Sequence, residues 1–178
     1  GTKLLWPPST SSESHELIHE KSMKEHLGDK MYQTLLQELI YSQVDMANSG
    51  VPLTGHFIDC RGSMINWCPI GRNATNSERE KFILMDKEEK LRQRVLEELR
   101  VMLKDKGLWD KLKIKLGGDT SFDIYPHGWD KTYVMRHLNF LSKNLDVYFV
   151  GDRCEENGND KELYDLIRSQ NDDRAFKT

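Results

Sequence analysis

Three arginines lie within a short window of the sequence, at Arg61, Arg72 and Arg79. A planar guanidinium donates two parallel hydrogen bonds, which suits the oxygens of a phosphate group. Ser121 and Asp123 follow on a predicted strand, where side chains two residues apart point to the same face. A hydroxyl and a carboxylate suit sugar hydroxyls, one as a donor and the other as an acceptor. Together the five residues predict a face that binds a phosphosugar.

A plainer interpretation fits the same residues. The exposed face of an antiparallel sheet is normally polar. Asp59 and Arg61 on one strand, and Ser121 and Asp123 on another, are therefore also consistent with a solvated face that carries surface ion pairs. Arg72 and Arg79 flank the predicted start of a helix, and helix starts attract anions. Arg79 can instead pair with Glu78 or Asp86. The pattern alone leaves both interpretations open.

A second candidate site lies near the end of the chain. The continuous apolar run 147–150 is typical of a parallel strand buried on both faces, and it is followed by Asp152. Open α/β sheets bind ligands at such strand ends, and Mg²⁺ prefers a few carboxylates together with phosphate and water. Asn159 and Asp160 can join or orient these metal ligands. The alternative is that Asp152 is a turn residue. Lys131 can neutralise a phosphate or can be a solvated helix residue.

The periodicity of apolar residues predicts the elements that position these side chains. Apolar residues at four-residue spacing, including Met31, Leu35 and Ile40, predict the first helix. Thr75 and Glu78 fit a capping box at the start of a long helix, which ends before Gly107. Its predicted apolar stripe comprises Leu84, Leu91, Val95, Leu99 and Met102. The predicted elements are helices at 29–48, 76–106, 129–142 and 160–168, and strands near 55–61, 63–69, 112–116, 121–125 and 146–150.

This order predicts an α/β protein. Hairpin-like spacing favours a four-stranded antiparallel sheet with two helices on one face, followed by part of a doubly wound, Rossmann-like core. We expect a domain boundary near 126–128. The predicted divisions are an N-terminal core remnant at 1–23 with an insertion loop at 7–15, a substrate-binding domain at 24–127, and a C-terminal core segment at 128–178.

The composition is that of an ordinary soluble protein. Among the 178 residues, 31% are charged and the net charge is -3, which gives no reason to expect nucleic acid or a membrane as a partner. No apolar run approaches the length of a membrane span. Cys60, Cys68 and Cys154 lack metal-ligand spacing, so we expect reduced thiols in a cytoplasmic protein.

Taken in order, these segments resemble the eukaryotic α-phosphomannomutases of the haloacid dehalogenase superfamily. The likeness covers roughly residues 24 to 165. The matching runs are Phe57-Ile58-Asp59-Cys60-Arg61, Met64-Ile65-Asn66, Pro69-Ile70-Gly71-Arg72, Ser77-Glu78-Arg79, Gly117-Gly118, Ser121-Phe122-Asp123, Gly128-Trp129-Asp130-Lys131, Gly151-Asp152 and Gly158-Asn159-Asp160.

The resemblance implies a cap domain that binds mannose phosphate and forms a homodimer. It implies substrate contacts at Arg61, Arg72, Arg79, Ser121 and Asp123. It further implies a Mg²⁺ ligand at Asp152 and a phosphate-binding lysine at Lys131, the candidate catalytic residue. The reaction in the family interconverts mannose 6-phosphate and mannose 1-phosphate through a bisphosphate, an isomerase activity that supplies GDP-mannose for glycosylation.

The chain departs from the family in ways that matter for chemistry. A Ser or Thr after an early strand, the second motif of the superfamily, is absent, and the loop 153–157 differs from the family's. The sequence contains no Asp-x-Asp-Gly-Thr stretch, whose two aspartates are the nucleophile and the general acid/base in the family. This chain by itself is therefore expected to bind a hexose phosphate and not to turn it over. Two alternatives stay open: a sugar phosphatase of the same superfamily, and a non-catalytic module for phosphosugar binding or dimerisation. Retention of all three arginines argues against the phosphatase.

Overall fold

The structure is a computed structural model, and it describes residues 2–6, 14–141, 146–155 and 158–178. The predicted insertion loop at 7–15 falls largely outside these residues. The helices are α1 (Met23–Leu27), α2 (Asp29–Asn48), α3 (Asn76–Glu89), α4 (Leu91–Asp105), α5 (Tyr133–Leu141) and α6 (Lys161–Gln170). The strands are β1 (Lys3–Trp6), β2 (Glu16–Glu20), β3 (Ile58–Cys60), β4 (Ile65–Trp67), β5 (Leu112–Gly117), β6 (Ser121–Pro126), β7 (Phe149–Gly151) and β8 (Ala175–Lys177).

The chain divides into two compact units. One comprises Ser22–His127, and the other comprises Gly1–Lys21 together with Gly128–Thr178. No helix in the described part of the chain is both long enough and apolar enough to cross a lipid bilayer.

The unit Ser22–His127 is built on the predicted four-stranded antiparallel sheet, with strand order β3-β4-β6-β5. The fold class predicted from the sequence is therefore confirmed. Strands β3 and β4 contain three residues each and are shorter than predicted. Arg61 consequently lies just beyond the end of β3 rather than on the strand.

One face of this sheet is apolar and packs under helices. Trp67 of β4 and Phe122 of β6 are fully buried and stack with ring centroids 4.7 Å apart. The Trp67 indole N–H donates to Gln43 Oε1 of α2 over 2.8 Å, which places α2 on this face. Helix α4 packs against α2. The two helices therefore leave the opposite face for polar side chains.

The predicted first helix is confirmed as α2, but only part of its apolar pattern is buried. Leu35 and Leu39 are fully buried, whereas Ile40 is 53% exposed and Met31 is 36% exposed. The capping box of α3 is also confirmed. The Thr75 N–H donates to Glu78 Oε2 over 2.8 Å, and the Glu78 N–H returns a bond to Thr75 Oγ1 over 3.4 Å.

The single helix predicted from 76 to 106 is wrong. The chain breaks at Lys90, which adopts a left-handed conformation with φ of 52°, so that α3 and α4 are separate helices. The break is stabilised by Asp86, whose Oδ1 accepts from the Arg92 N–H over 2.7 Å at the start of α4. The predicted apolar stripe is correspondingly wrong at Leu84, which is 61% exposed. The buried positions on α4 include Leu91, Val95, Leu99 and Leu103.

The other unit contains two small sheets. Strands β1 and β2 pair antiparallel, and β7 and β8 pair parallel. Parallel pairing of the strand near 146–150 was predicted, whereas β1, β2 and β8 were not. The prediction that this strand is buried on both faces is wrong, because Tyr148 and Val150 are more than 60% exposed.

The helix predicted at 129–142 begins later, at Tyr133, and residue 142 lies outside the described part of the chain. Asp130 accounts for the late start. Its Oδ1 accepts from the Thr132 N–H over 3.0 Å, which holds residues 130–132 as a turn. The helix predicted at 160–168 is confirmed as α6, with its bounds shifted slightly. Side chains of α6 and its neighbours form an apolar cluster that contains Leu163, Tyr164, Ile167 and Ala175.

Candidate functional site

The polar face of the four-stranded sheet carries one row of side chains that crosses all four strands. Asp59 of β3 lies opposite Asn66 of β4, Asn66 lies opposite Asp123 of β6, and Asp123 lies opposite Lys115 of β5. Directly opposed residues share a face of the sheet. The register thus brings Asp59 and Asp123, which are 64 positions apart in the sequence, to the two sides of one asparagine.

Two of the three predicted arginines meet at one end of this row. Arg61 Nε donates to Asp59 Oδ2 over 2.8 Å, and Arg72 Nε lies 3.7 Å from the same oxygen. The hydrogen bond from Arg61, together with the positive charge of both arginines, holds the pKa of the Asp59 carboxyl below its usual value. Both guanidinium groups remain partly exposed, at 39% of the side chain. They can therefore still meet an anion from solvent.

Arg72 and Asp123 are joined through Asn66. Arg72 Nη1 donates to Asn66 Oδ1 over 2.6 Å, and Asn66 Nδ2 donates to Asp123 Oδ1 over 2.8 Å. The Asp123 carboxylate also lies against Gly117, where an added Cβ would come within 2.9 Å of its carbon and both oxygens. The absence of a side chain at Gly117 is what makes room for Asp123.

Arg79 is placed differently from the other two arginines. It lies in the first turn of α3, and its guanidinium donates to the backbone oxygens of Ala74 (3.1 Å) and Arg72 (3.0 Å) and to Thr120 Oγ1 (3.3 Å). The pairing with Glu78 or Asp86 considered from the sequence is not what the structure shows. Arg79 instead ties the segment that carries Arg72 to the turn before Ser121.

Ser121 lies on the same face of the sheet as Asp123, opposite Gly117 at the start of β6, and is half-buried. The structure therefore brings Arg61, Arg72 and Asp123 into one connected set and places Ser121 beside it. Sequence reasoning missed Asn66 as the connecting residue. A signal was present in the sequence, since Asn66 is the polar residue between the large apolar residues Ile65 and Trp67 of a predicted strand.

The second candidate site, in the other unit, is centred on Asp160. This residue is 3% exposed, and its Oδ1 forms an ion pair with Lys131 Nζ. Its Oδ2 accepts from the Arg153 N–H over 3.3 Å. Burial alone raises the pKa of the Asp160 carboxyl, but the hydrogen bonds from Lys131 and Arg153 outweigh it, and the pKa lies below its usual value.

Two of the three predicted metal ligands come together here. Asp152 is exposed and close enough to Asp160 to contribute to lowering the pKa of that carboxyl, and Asn159, which precedes Asp160, is exposed. Within the described ranges, no group of three or more His, Cys, Asp or Glu side chains is arranged to hold a metal ion. Mg²⁺ is commonly held by one or two carboxylates, with water and substrate phosphate completing its shell. The pair Asp152 and Asp160 fits that requirement.

Acid is expected to weaken the unit that contains Asp160. A carboxyl whose pKa is lowered by folding contributes stability above its unfolded value, here 3.8, and loses that contribution as the pH falls through the folded value. We expect the urea midpoint of this unit to begin to fall below about pH 5 and to keep falling as the pH passes below 3.8. The fall should be smaller in Lys131→Met, because the variant lacks the cation that lowers the pKa.

The matched control is Lys161→Met, which removes an exposed ion pair with Asp165. Such pairs contribute little to stability, so this variant should follow the pH dependence of the unchanged protein. The same pH dependence in Lys131→Met as in the unchanged protein would contradict a stabilising role for the ion pair.

Together the sheet, its helical cover and the parallel β7–β8 pair define a mixed α/β protein with a polar sheet face. A sequence model of the eukaryotic phosphomannomutase family matches residues 9–172, so the chain belongs to this family.

The similar curated proteins agree with that assignment. A phosphomannomutase from Drosophila melanogaster is 38% identical over 142 residues, covering 78% of this chain and 52% of the relative. One from Solanum lycopersicum is 36% identical and covers 86% of this chain and 58% of the relative. One from Encephalitozoon cuniculi is 46% identical over 110 residues, which cover 62% of this chain and 41% of the relative. The chain spans about half the length of the curated relatives that it matches.

Proposed function

We propose that the chain is part of a phosphomannomutase that interconverts mannose 6-phosphate and mannose 1-phosphate through a hexose bisphosphate. The main support for this proposal is that Arg61, Arg72, Asn66 and Asp123 are connected on one face of the sheet by hydrogen bonds and by the shared carboxylate of Asp59. This set offers guanidinium donors for a phosphate beside a carboxylate acceptor for a hydroxyl, which are the two groups that a hexose phosphate presents. The family assignment supports the mutase over the phosphatase and over the non-catalytic module.

In this proposal the unit Ser22–His127 is the cap, and the rest of the chain belongs to the core. Arg61 and Arg72 bind the phosphate that is not reacting, and Arg79 fixes the segment from which Arg72 projects. Ser121 and Asp123 bind sugar hydroxyls. A bisphosphate explains why several arginines are needed, since one phosphate must be held while the other reacts and the sugar must then reverse.

The core residues act on the reacting phosphate. Lys131 neutralises its charge and, by pairing with Asp160, keeps that carboxylate ionised. Asp152 and Asp160, with Asn159 beside them, are the residues that would hold Mg²⁺, which supplies charge stabilisation to the phosphoryl group when bound. We further propose a homodimer formed through the cap and a cytoplasmic location, where the product would serve GDP-mannose synthesis and glycosylation.

Calorimetry on the 178-residue chain tests the binding part of the proposal. A hexose 1,6-bisphosphate should bind to the chain. The binding part of the proposal would be contradicted if neither the bisphosphate nor mannose 6-phosphate bound measurably.

Turnover is tested by phosphorus NMR. The chain alone should convert no mannose 6-phosphate, whereas a longer chain that includes an Asp-x-Asp-Gly-Thr segment should form mannose 1-phosphate. Release of free phosphate in its place would favour the phosphatase.

Arg72→Ala is expected to weaken binding of the bisphosphate by about 1.5–3 kcal/mol, the scale of a hydrogen bond to a charged group. The measurement is calorimetry at constant ionic strength. Arg100→Ala is the matched control, because Arg100 belongs to the same unit but is exposed on α4 and pairs with Glu97. Unchanged affinity in Arg72→Ala would count against a phosphate-binding role for this arginine.

A further inference from the structure

Asn66 is the one buried member of the polar row that contacts both an arginine and an aspartate of the proposed binding face. It is 5% exposed, although it lies on the face opposite the helices. Its amide accepts from Arg72 through Oδ1 and donates to Asp123 through Nδ2. A buried polar side chain that lacks these partners would destabilise the sheet, so both contacts are needed for Asn66 to be tolerated there.

The chemistry of the two neighbours fixes the orientation of the amide. A guanidinium has donors only, and an ionised carboxylate has acceptors only. The oxygen of Asn66 must therefore face Arg72, and the nitrogen must face Asp123. Neither a carboxylate nor an ammonium can serve both neighbours at once. An amide is thus the group that keeps the cation and the anion side by side without letting them pair directly.

That separation matters for ligand binding. If Arg72 and Asp123 paired with one another, each would use up the hydrogen bonds that a phosphate and a sugar hydroxyl require. Asn66 occupies only Oδ1 of Asp123 and only Nη1 of Arg72 in this contact. The remaining oxygen of Asp123 and Nη2 of Arg72 keep fixed directions, while Nε of Arg72 faces Asp59 Oδ2 at 3.7 Å. The sheet supports this arrangement, because Asn66 lies directly opposite both Asp59 and Asp123 in the register.

We propose that Asn66 is a positioning residue, whose amide holds Arg72 and Asp123 apart in the arrangement that receives the phosphate and an adjacent hydroxyl of one hexose phosphate. The inference rests on the proposed function of this face. It assigns Asn66 no contact with the reacting atoms. Its effect is to set the distance and direction between two groups that bind the ligand.

Two substitutions distinguish positioning from a general structural role. Asn66→Leu removes both hydrogen bonds at similar volume, and bisphosphate binding should weaken by about tenfold or more at every pH.

Asn66→Asp keeps the acceptor for Arg72 but places a carboxylate against Asp123. At about pH 8 this variant should also bind about tenfold more weakly. At about pH 5 the introduced carboxyl begins to hold a proton, because it is buried and lies between two carboxylates, Asp59 and Asp123, which together oppose the hydrogen bond from Arg72. An O–H donor to Asp123 is then restored, and affinity should return towards that of the unchanged protein.

Each affinity is expressed relative to the unchanged protein at the same pH, which cancels titration of the ligand phosphate. Asn73→Asp is the matched control, since it makes the same chemical change one residue from Arg72 but at an exposed side chain outside the row. Its relative affinity should not vary with pH. Equal weakening of Asn66→Asp at both pH values, or no weakening at all, would overturn the proposal. If Asn66→Leu does not fold, as judged by circular dichroism, the pH series of Asn66→Asp decides alone.

The role of Asn66 can also be tested by a measurement that does not depend on the proposed function. If the unchanged chain binds neither the bisphosphate nor mannose 6-phosphate, the function is wrong, and nitrogen-15 NMR of the arginine side chains then decides the role of Asn66. Restricted motion of the Arg72 guanidinium that is lost in Asn66→Asp at about pH 8 would support positioning. Unchanged motion would overturn it.

Discussion

Gly71→Ala is expected to destabilise the unit Ser22–His127 by about 2–4 kcal/mol and to abolish measurable bisphosphate binding. Gly71 has a φ of +90°, which is unfavourable for any residue with a side chain. A Cβ at this position would lie 2.2 Å from the backbone oxygen of Gly55 and 2.6 Å from Thr54 Oγ1. Because the nearest contact is with backbone, the clash can be relieved only by moving the segment that carries Arg72.

Gly62→Ala is the matched control for this prediction. Gly62 also has a positive φ, +71°, but nothing lies within 4 Å of its added Cβ. Gly62→Ala should therefore lower the free energy of unfolding by only about 1 kcal/mol, because only the backbone conformation is unfavourable there. Urea unfolding of both variants separates the two contributions. Equal loss of stability in the two variants would show that the close approach to Gly55 does not constrain the loop.

The proximity of Gly71 to Gly55 illustrates what the sequence does and does not predict about the candidate site. The sequence indicated that Arg72 lies just before the start of a helix, because the capping box at Thr75 is a local signal. It did not indicate that the segment at Gly71 packs against residues 54–55, because that contact depends on the pairing of β3 with β4, which brings the segment before β3 beside the segment after β4. The chemistry of the site was thus predictable from residue types, whereas its geometry was not.

The same division holds across the fold. Helix α2, the capping box at Thr75 and the alternating strands β5 and β6 were predicted because each follows from neighbours within a few residues. The connection through Asn66 was missed because it requires the register between β3, β4 and β6. Hairpin-like spacing predicts that strands pair, but a shift of one residue would have moved Asn66 to the apolar face.

The break at Lys90 was missed for a related reason. Apolar residues at helical spacing continue through this position, and neither Pro nor Gly marks it. The determinant is Asp86, which accepts from the backbone N–H of Arg92 over 2.7 Å and from its Nε over 2.7 Å. The arginine also donates to the backbone oxygens of Gly118 (3.0 Å) and Ser121 (3.4 Å). A tertiary contact therefore ends one helix and begins the next.

That contact makes Arg92→Ala the second substitution with a large expected effect, a loss of about 3 kcal/mol in the free energy of unfolding. The side chains of Arg92 and Asp86 are 11% and 14% exposed, so the variant leaves a nearly buried carboxylate without its cation. It also removes the donor to the turn that precedes Ser121. We therefore expect weaker bisphosphate binding as well, because the hydroxyl of Ser121 would no longer be held in place.

Arg94→Ala is the matched control, two residues further along the same helix. Arg94 pairs with Glu89 over 3.6 Å, but both side chains are more than half exposed, so the loss should be below about 0.5 kcal/mol. The double variant Asp86→Ala/Arg92→Ala should lose less free energy of unfolding than the two single variants lose together, because neither charge is then left buried alone. Urea unfolding of the unchanged protein and of the four variants, Arg92→Ala, Arg94→Ala, Asp86→Ala and the double variant, measures these differences. If Arg92→Ala and Arg94→Ala were equally stable, the helix break at Lys90 would have to be held by the packing of Leu91, Val95 and Leu99 rather than by this ion pair.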